Sequence, residues 1–184
     1  PDLQGMRQLL THGRTVTPRT MVRGIGKVPP GCTLAWSCGS MTTSRYWDVS
    51  FPATGGYESR PDREWAEGLR EKLAESVRLH LRSDVPVGAW LSGGIDSSSV
   101  AALMAATVAD PVKTFTMRTE DPAFDELHGK RALDDFPAFR LDGHRVLCGP
   151  EDFELLPAAI WHTEGQVLAT ISTGQLRVAR ASAE

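Results

Sequence analysis

The stretch Val85–Ala109, VPVGAWLSGGIDSSSVAALMAATVA, places two glycines, an aspartate and several serines between two apolar runs. The first run reads as a short buried strand over 86–91. The second is rich in good helix formers and predicts a helix from about Asp96 to Ala109. A turn of small polar residues leading from a strand end into a helix start is a place where an anion can sit. Gly93 and Gly94 permit positive φ and let backbone N–H groups approach a ligand unobstructed. The helix behind them points its free N–H groups and positive dipole end into the same space. Ser92, Ser97 and Ser98 add hydroxyl donors without adding charge. No lysine follows, so this is not the G-x-x-x-x-G-K-[ST] loop.

Asp96 decides what kind of anion. A carboxylate beside a phosphate pocket repels the ligand unless a cation lies between them. Mg²⁺ suits, being a hard ion that takes oxygen from one or two carboxylates plus phosphates. The turn therefore suggests a magnesium–pyrophosphate unit, and so a nucleoside triphosphate split between its α and β phosphates. The plain structural alternative is that Asp96 caps the helix and Gly-Gly is an ordinary turn.

Working outward, PDREWAEGLREKLAESVRLHLRS spaces Trp65, Leu69, Leu73, Val77 and Leu81 four apart, the stripe of an amphipathic helix with Pro61 in its first turn. Asp62 and Glu64 near its start and Arg78 and Arg82 near its end suit the helix dipole. His80 reads as a flank residue. DPVKTFTMRT supplies a second strand, 112–117, and HRVLC a third. DPAFDELHGKRALDDF between them reads as a helix weakened by Gly129, and GPEDFELLPAAIWHTEG as helical turns broken by Pro157. Strand, helix, strand, helix, strand argues for a parallel sheet with helical crossovers.

Upstream, residues 1 to about 60 are rich in turn formers and β-branched residues; KVPPGCTLAW and SRYWDVSF read as two strands, and PATGGYESRP as a linker.

Hydrophobic residues make up 41% of the 184, charged residues 23%, and the net charge is -3. A soluble globular protein is the default class, and charge gives no support to a nucleic-acid or anionic-membrane role. No apolar run approaches the roughly 20 residues that span a bilayer, and the start has no signal-peptide pattern. Cys32, Cys38 and Cys148 lack metal-ligand spacing and read as free thiols of a reducing cytoplasm. A chain that starts without Met and ends on ARASAE is expected to be a fragment, whose helices from Pro150 onward would lack packing partners.

LSGGIDSS resembles the pyrophosphate loop of the N-type ATP pyrophosphatases. MVRGIGKVPPGCTL followed by RYWDVSFP resembles the end of the glutaminase domain and the connector of glutamine-hydrolysing asparagine synthetases. LREKLAESVRLHLRSDVPVGAWLSGGIDSS, TFTM, FDE and LLPAAIWH follow in that family's order, over nearly the whole chain.

The resemblance implies a class II amidotransferase, in which one domain hydrolyses glutamine and the other adenylates a carboxylate with ATP for ammonia to attack. Its implied fold is α/β: a three-layer parallel sheet of the adenine-nucleotide alpha-hydrolase-like (PP-loop) type, preceded by a β-rich remnant of the glutaminase domain. Residues 1–57 would be that remnant and connector, and 58–184 the first part of the synthetase domain. Ser92, Gly93, Gly94, Asp96, Ser97 and Ser98 would hold the pyrophosphate, with Asp96 on Mg²⁺. Leu91 and Met117 would lie against the adenosine through backbone contacts. ATP, aspartate and glutamine-derived ammonia are the implied small-molecule partners, with a homodimer as assembly, no nucleic acid and no membrane.

The chain also departs from the pattern. The family's nucleophilic N-terminal Cys and its Gly-Glu-Gly-Gly-Asp-Glu run, which would follow residue 184 and carry a second magnesium carboxylate, are not in this sequence. Where the family reads Trp-His-Leu-Asp-Glu-Pro, the chain has WHTEGQVLATIST, and Pro137 interrupts HGKRALDDFPAFRLDGH. Trp161 and His162 match the pattern, with a structural role or a substrate contact both open. Among Glu120, Asp121, Asp125 and Glu126, the pair Asp125 and Glu126 match family positions. Two other readings stand beside the asparagine synthetase: a relative that closes a peptide or β-lactam ring, and a degenerate module that binds nucleotide or a partner subunit.

Overall fold

The computed structural model describes residues 1–53, 55–119, 139–163 and 171–183. It divides into two compact units, Pro1–Ser59 and Arg60–Glu184.

The first unit opens with helix α1, Leu3–His12, in a region whose composition suggests only turns and strands further along. Its signals are local: Asp2 Oδ1 accepts hydrogen bonds from the N–H groups of Gln4 and Gly5, both at 3.0 Å, and Gly13 closes the far end with φ 71°. Strands β1, Cys32–Ser37, and β2, Ser40–Arg45, pair antiparallel with Trp36 opposite Met41. Cys38 and Gly39 join them with positive φ of 48° and 79°, the backbone of a tight hairpin whose twist matches its strands. That turn corrects the expected second strand. Pairing that begins at Cys32 has to end at Arg45, so Tyr46–Phe51 lies outside the sheet.

The second unit is mixed α/β, with a parallel three-stranded sheet in the order β3–β4–β5. Helix α2 covers Asp62–His80, with Pro61 at its N-cap rather than inside its first turn. Only part of its apolar stripe is packed: Val77 is buried, whereas Trp65 and Leu69 are 49% and 62% exposed. The Arg60 guanidinium lies 5.0 Å from the centre of the Trp65 ring.

Strand β3 is only Ala89–Trp90, shorter than the expected 86–91; Pro86, at the expected start, has no N–H for a ladder. Helix α3 runs Ile95–Thr107, β4 Val112–Thr119, and β5 Leu141–Cys148. The last two strands are longer than predicted because they pair throughout, from Val112 opposite Leu141 to Thr119 opposite Cys148. The expected crossover helix around 121–136, with Gly129 and Pro137, lies outside the described residues.

Val77 of α2, Met104 of α3 and Val112 of β4 form one core cluster, and Leu91 with Ala101 another, both reaching Leu141. Burying a side chain such as Leu91 contributes about 2 kcal/mol. On β4 the side chains alternate, and Met117 has its sulfur against Gly174 of helix α5, Ile171–Ser182.

After β5 a 3₁₀ turn, Pro150–Leu155, runs directly into helix α4, Leu156–Thr163. Pro157 begins that helix instead of breaking it, since a first-turn residue has no need of its N–H. The expectation of unpacked helices beyond Pro150 does not hold for α5, although α4 buries only Ala159 and leaves Trp161 exposed. Helix α5 buries Thr173, Gly174 and Val178, and its Arg177 Nη1 donates to Asp152 Oδ1 at 2.6 Å. Asp152 Oδ2 accepts from the Gly149 N–H at 2.9 Å.

Cys148, buried at the end of β5, is held above the ordinary thiol value near 9.0, by burial first and then by the charge of Asp152. A raised thiol pKa favours the fold below that ordinary value, and the advantage is lost as pH rises from there through the higher folded value. Stability is expected to fall above about pH 9, and Cys148→Ala should flatten that part of the profile in thermal melts at stepped pH.

Candidate functional site

The loop between β3 and α3 is built by its own small residues. Gly93 takes φ 79°, a conformation that a residue with a Cβ adopts only under strain. Gly94 is the N-cap of α3, with no side-chain cap, and its carbonyl accepts the first helical bond from the Ser98 N–H at 3.0 Å. The N–H groups of Gly93, Ile95, Asp96 and Ser97 make no hydrogen bond among the described residues. A glycine turn and a helix start thus present unpaired donors together, which is the chemistry of an oxyanion site.

The serines do something the sequence did not show. Ser97 Oγ accepts from the Ser92 N–H at 3.2 Å, lies 3.0 Å from Ser92 Oγ and donates to the Gly94 carbonyl at 3.2 Å. Ser92 Oγ accepts from the Gly94 N–H at 3.3 Å. These two hydroxyls lock the turn to the first turn of the helix, leaving backbone N–H groups as the donors toward a ligand. Ser98 is buried one position further on.

Asp96 does not cap the helix, because Gly94 holds that position. Its carboxylate is exposed, within the first turn, and has no hydrogen bond or ion pair among the described residues. A negative charge there is favoured by the helix dipole. Mg²⁺ fits this donor set: one free carboxylate beside a nest for phosphate oxygens is enough for an ion that keeps waters and takes phosphate ligands. No group of three or more His, Cys, Asp or Glu side chains able to hold a metal without such a ligand occurs among the described residues.

Leu91, 2% exposed, donates its N–H to the Phe115 carbonyl at 2.9 Å, and its carbonyl accepts from Thr116 Oγ1 at 2.8 Å. Of its backbone only one carbonyl lone pair remains for a ligand. Met117 pairs with Val146 in the sheet and turns its side chain to α5, where only a glycine at 174 leaves room. Its role toward a ligand is thereby confined to its backbone.

A largely apolar cleft of about 520 Å³, lined by Leu73, Val77, His80, Trp90 and Val100, reaches Asp96 and Ser97. His80 Nδ1 is bonded to the Ser76 carbonyl at 2.8 Å, which fits a flank residue. Trp161, 80% exposed, and His162 occupy the end of α4, and neither hydrogen-bonds to the loop. Glu120, Asp121, Asp125 and Glu126 lie outside the described residues.

The feature missed in the sequence is the Thr116 bond to Leu91. The sequence carries only half of its signal: two threonines alternating in VKTFTM put polar side chains on one face, but the partner carbonyl is set by strand register.

Comparison with known proteins places the chain in a family. An amidase of Penicillium rubens is 30% identical over 192 residues, covering 96% of this chain and 28% of its own length. An amidase of Gibberella zeae is 38% identical over 109 residues, 59% of this chain and 16% of its own. The glutamine-hydrolysing asparagine synthetase 1 of Bacillus subtilis is 29% identical over 163 residues, 88% of this chain and 25% of its own. The chain therefore spans between 16% and 28% of the length of these relatives. The family model described as asparagine synthase matches residues 68–184, which includes the whole loop, and the chain belongs to the asparagine synthase family.

Proposed function

We propose that this chain is part of an ATP-dependent amide-forming enzyme whose Ser92–Ser98 loop holds the pyrophosphate of ATP. The observation that carries the reading is the set of unpaired N–H groups at Gly93, Ile95, Asp96 and Ser97 beside an exposed, unpartnered Asp96. In such a reaction a carboxylate oxygen attacks the α-phosphorus, and the bond to the β-phosphate oxygen breaks. Ammonia then attacks the acyl carbon, and AMP leaves with the oxygen. The loop's task is to orient the triphosphate and to stabilise the charge that grows on the departing diphosphate, which fixed backbone dipoles do without reorganising. Mg²⁺, held by Asp96, would supply the charge neutralisation that a carboxylate beside phosphate requires.

On this reading the second unit is the first part of a synthetase domain of the PP-loop type, with residues 58–184 on it and 1–57 ending a glutaminase domain. Aspartate is the acceptor and glutamine the ammonia source, as the name of the Bacillus relative suggests. A second reading keeps the loop chemistry but closes a peptide or β-lactam ring in place of the attack by ammonia; the fungal relatives named amidase give it only weak support. The three unpaired cysteines fit a reducing cytoplasm. No described helix is long and apolar enough to cross a membrane.

Calorimetric titration of the complete gene product tests the site. ATP and inorganic pyrophosphate are both expected to bind more tightly when Mg²⁺ is present than without it. Equal binding with and without Mg²⁺, or none of either ligand at millimolar concentration, overturns the assignment.

A further inference from the structure

Two threonines of β4 share one face, two residues apart, and both are sealed from solvent: Thr114 is 0% exposed and Thr116 is 1% exposed. Their hydroxyls differ. Among the described residues Thr114 Oγ1 has no hydrogen-bond partner, whereas Thr116 Oγ1 donates to the Leu91 carbonyl at 2.8 Å, across 25 residues of sequence. Buried hydroxyls are ordinarily paired, so the two side chains form a matched set, one with a tie and one without.

The tie falls at a weak place. Strand β3 pairs with β4 over Ala89 and Trp90 only, and Leu91 follows as the last residue before the loop. Leu91 is held by two bonds from adjacent β4 positions, its N–H to the Phe115 carbonyl and its carbonyl from Thr116. These fix the peptide plane from which Ser92 departs. Ser92 then receives the Gly94 N–H and meets Ser97, so the orientation at Leu91 passes through a continuous chain of hydrogen bonds to the helix start.

We propose that Thr116 is a positioning residue for the pyrophosphate loop, setting through Leu91 the direction in which the free N–H groups of Gly93, Ile95, Asp96 and Ser97 point. The proposal rests on the reading of that loop as the pyrophosphate site. Thr116 touches no ligand; it acts by removing the freedom of the strand end, so that the donors are in place before the ligand arrives.

The matched pair supplies its own control. Thr116→Val keeps the shape and removes the donor, leaving the Leu91 carbonyl buried without it, whereas Thr114→Val removes a hydroxyl that bonds to nothing. Two quantities are measured in the complete gene product, well below its melting temperature: pyrophosphate affinity with Mg²⁺ by calorimetry, and amide exchange at Leu91, Gly93 and Gly94. Thr116→Val is expected to weaken pyrophosphate about 5- to 10-fold and to speed exchange at Leu91, by the loss of one buried hydrogen bond. Thr116→Ser should stay within about twofold of the natural protein, and Thr114→Val should change neither quantity. Should Thr116→Val fail to fold, Thr116→Cys, a weaker donor of similar size, is expected to fall between natural protein and the Val effect. The proposal is overturned if Thr116→Val lowers only the melting temperature while affinity and exchange match Thr114→Val, or if Thr116→Cys is indistinguishable from the natural protein. Absence of pyrophosphate binding in the natural protein would instead remove the reading of the loop, and the exchange rates would still decide whether Thr116 holds it.

Discussion

Asp96→Asn is expected to weaken binding of magnesium–ATP by about 10- to 100-fold, equivalent to about 1.4–2.7 kcal/mol, while leaving binding of magnesium-free ATP unchanged or slightly improved. The substitution preserves size and position in the first turn of α3 and removes only the charge. If the carboxylate holds a divalent ion between itself and the phosphates, its loss takes away a hard oxygen ligand, and the ion's contribution to affinity goes with it. Without the ion the same carboxylate only repels the triphosphate, so neutralising it removes a like-charge term. The two ligand states therefore move in opposite directions, which no general loosening of the loop can produce. The cost to folding should be small, about 0.5 kcal/mol, since an exposed first-turn carboxylate contributes mainly through the helix dipole. Calorimetric titrations with and without magnesium, beside thermal melts, make the check. An Asn variant that keeps the full difference between magnesium–ATP and free ATP ends the case for Asp96 as the metal ligand.

The loop was legible because its chemistry is written in residue types that act locally. Gly93 adopts the positive φ that its composition suggested, and α3 starts within one residue of the expected position. What was not legible is whatever depends on a partner far along the chain. The Ser92–Ser97 contact needs the turn already closed, and the Thr116 bond needs two strands in register. The length of β5 was set by β4 rather than by its own residues: Leu141–Gly143 joins the sheet because Val112–Thr114 lies opposite. Helix α1 carried a readable cap at Asp2 and a readable stop at Gly13, yet it buries only Gly5, and Leu3 and Leu10 are 71% and 84% exposed. An apolar stripe that does not face a core gives little periodic signal, and turn-like composition outweighed it. The same holds for α2, where the stripe was correctly read but only its C-terminal half meets α3.

Arg177→Ala is expected to cost about 2 kcal/mol of stability by stranding Asp152. That carboxylate is 4% exposed and takes the guanidinium on one oxygen and the Gly149 N–H on the other, so removing the cation leaves a buried charge without its counter-ion. A fully enclosed pair would lose more, about 3–5 kcal/mol, but the Arg177 side chain is 43% exposed and water can partly replace it. Asp152 raises the Arg177 pKa further, by hydrogen bond first and charge second, so the arginine stays charged at every pH where the fold exists. A raised pKa stabilises below the ordinary arginine value, hence the pair adds no pH dependence from the arginine side in the working range. Asp152→Ala combined with Arg177→Ala should destabilise by less than the two single changes together, because the second removes the charge that the first stranded. Urea melts of the three variants give the energies, and amide exchange at Val178 locates the effect in α5. The consequence reaches the sheet through Gly174, which sits on the same helix three residues before Arg177 and against the Met117 side chain. A helix freed from Asp152 no longer fixes that methionine, and the part of β4 next to Thr116 loses its backing. Melts of Arg177→Ala within about 0.5 kcal/mol of the natural protein would show that α5 is held by Thr173, Gly174 and Val178 alone.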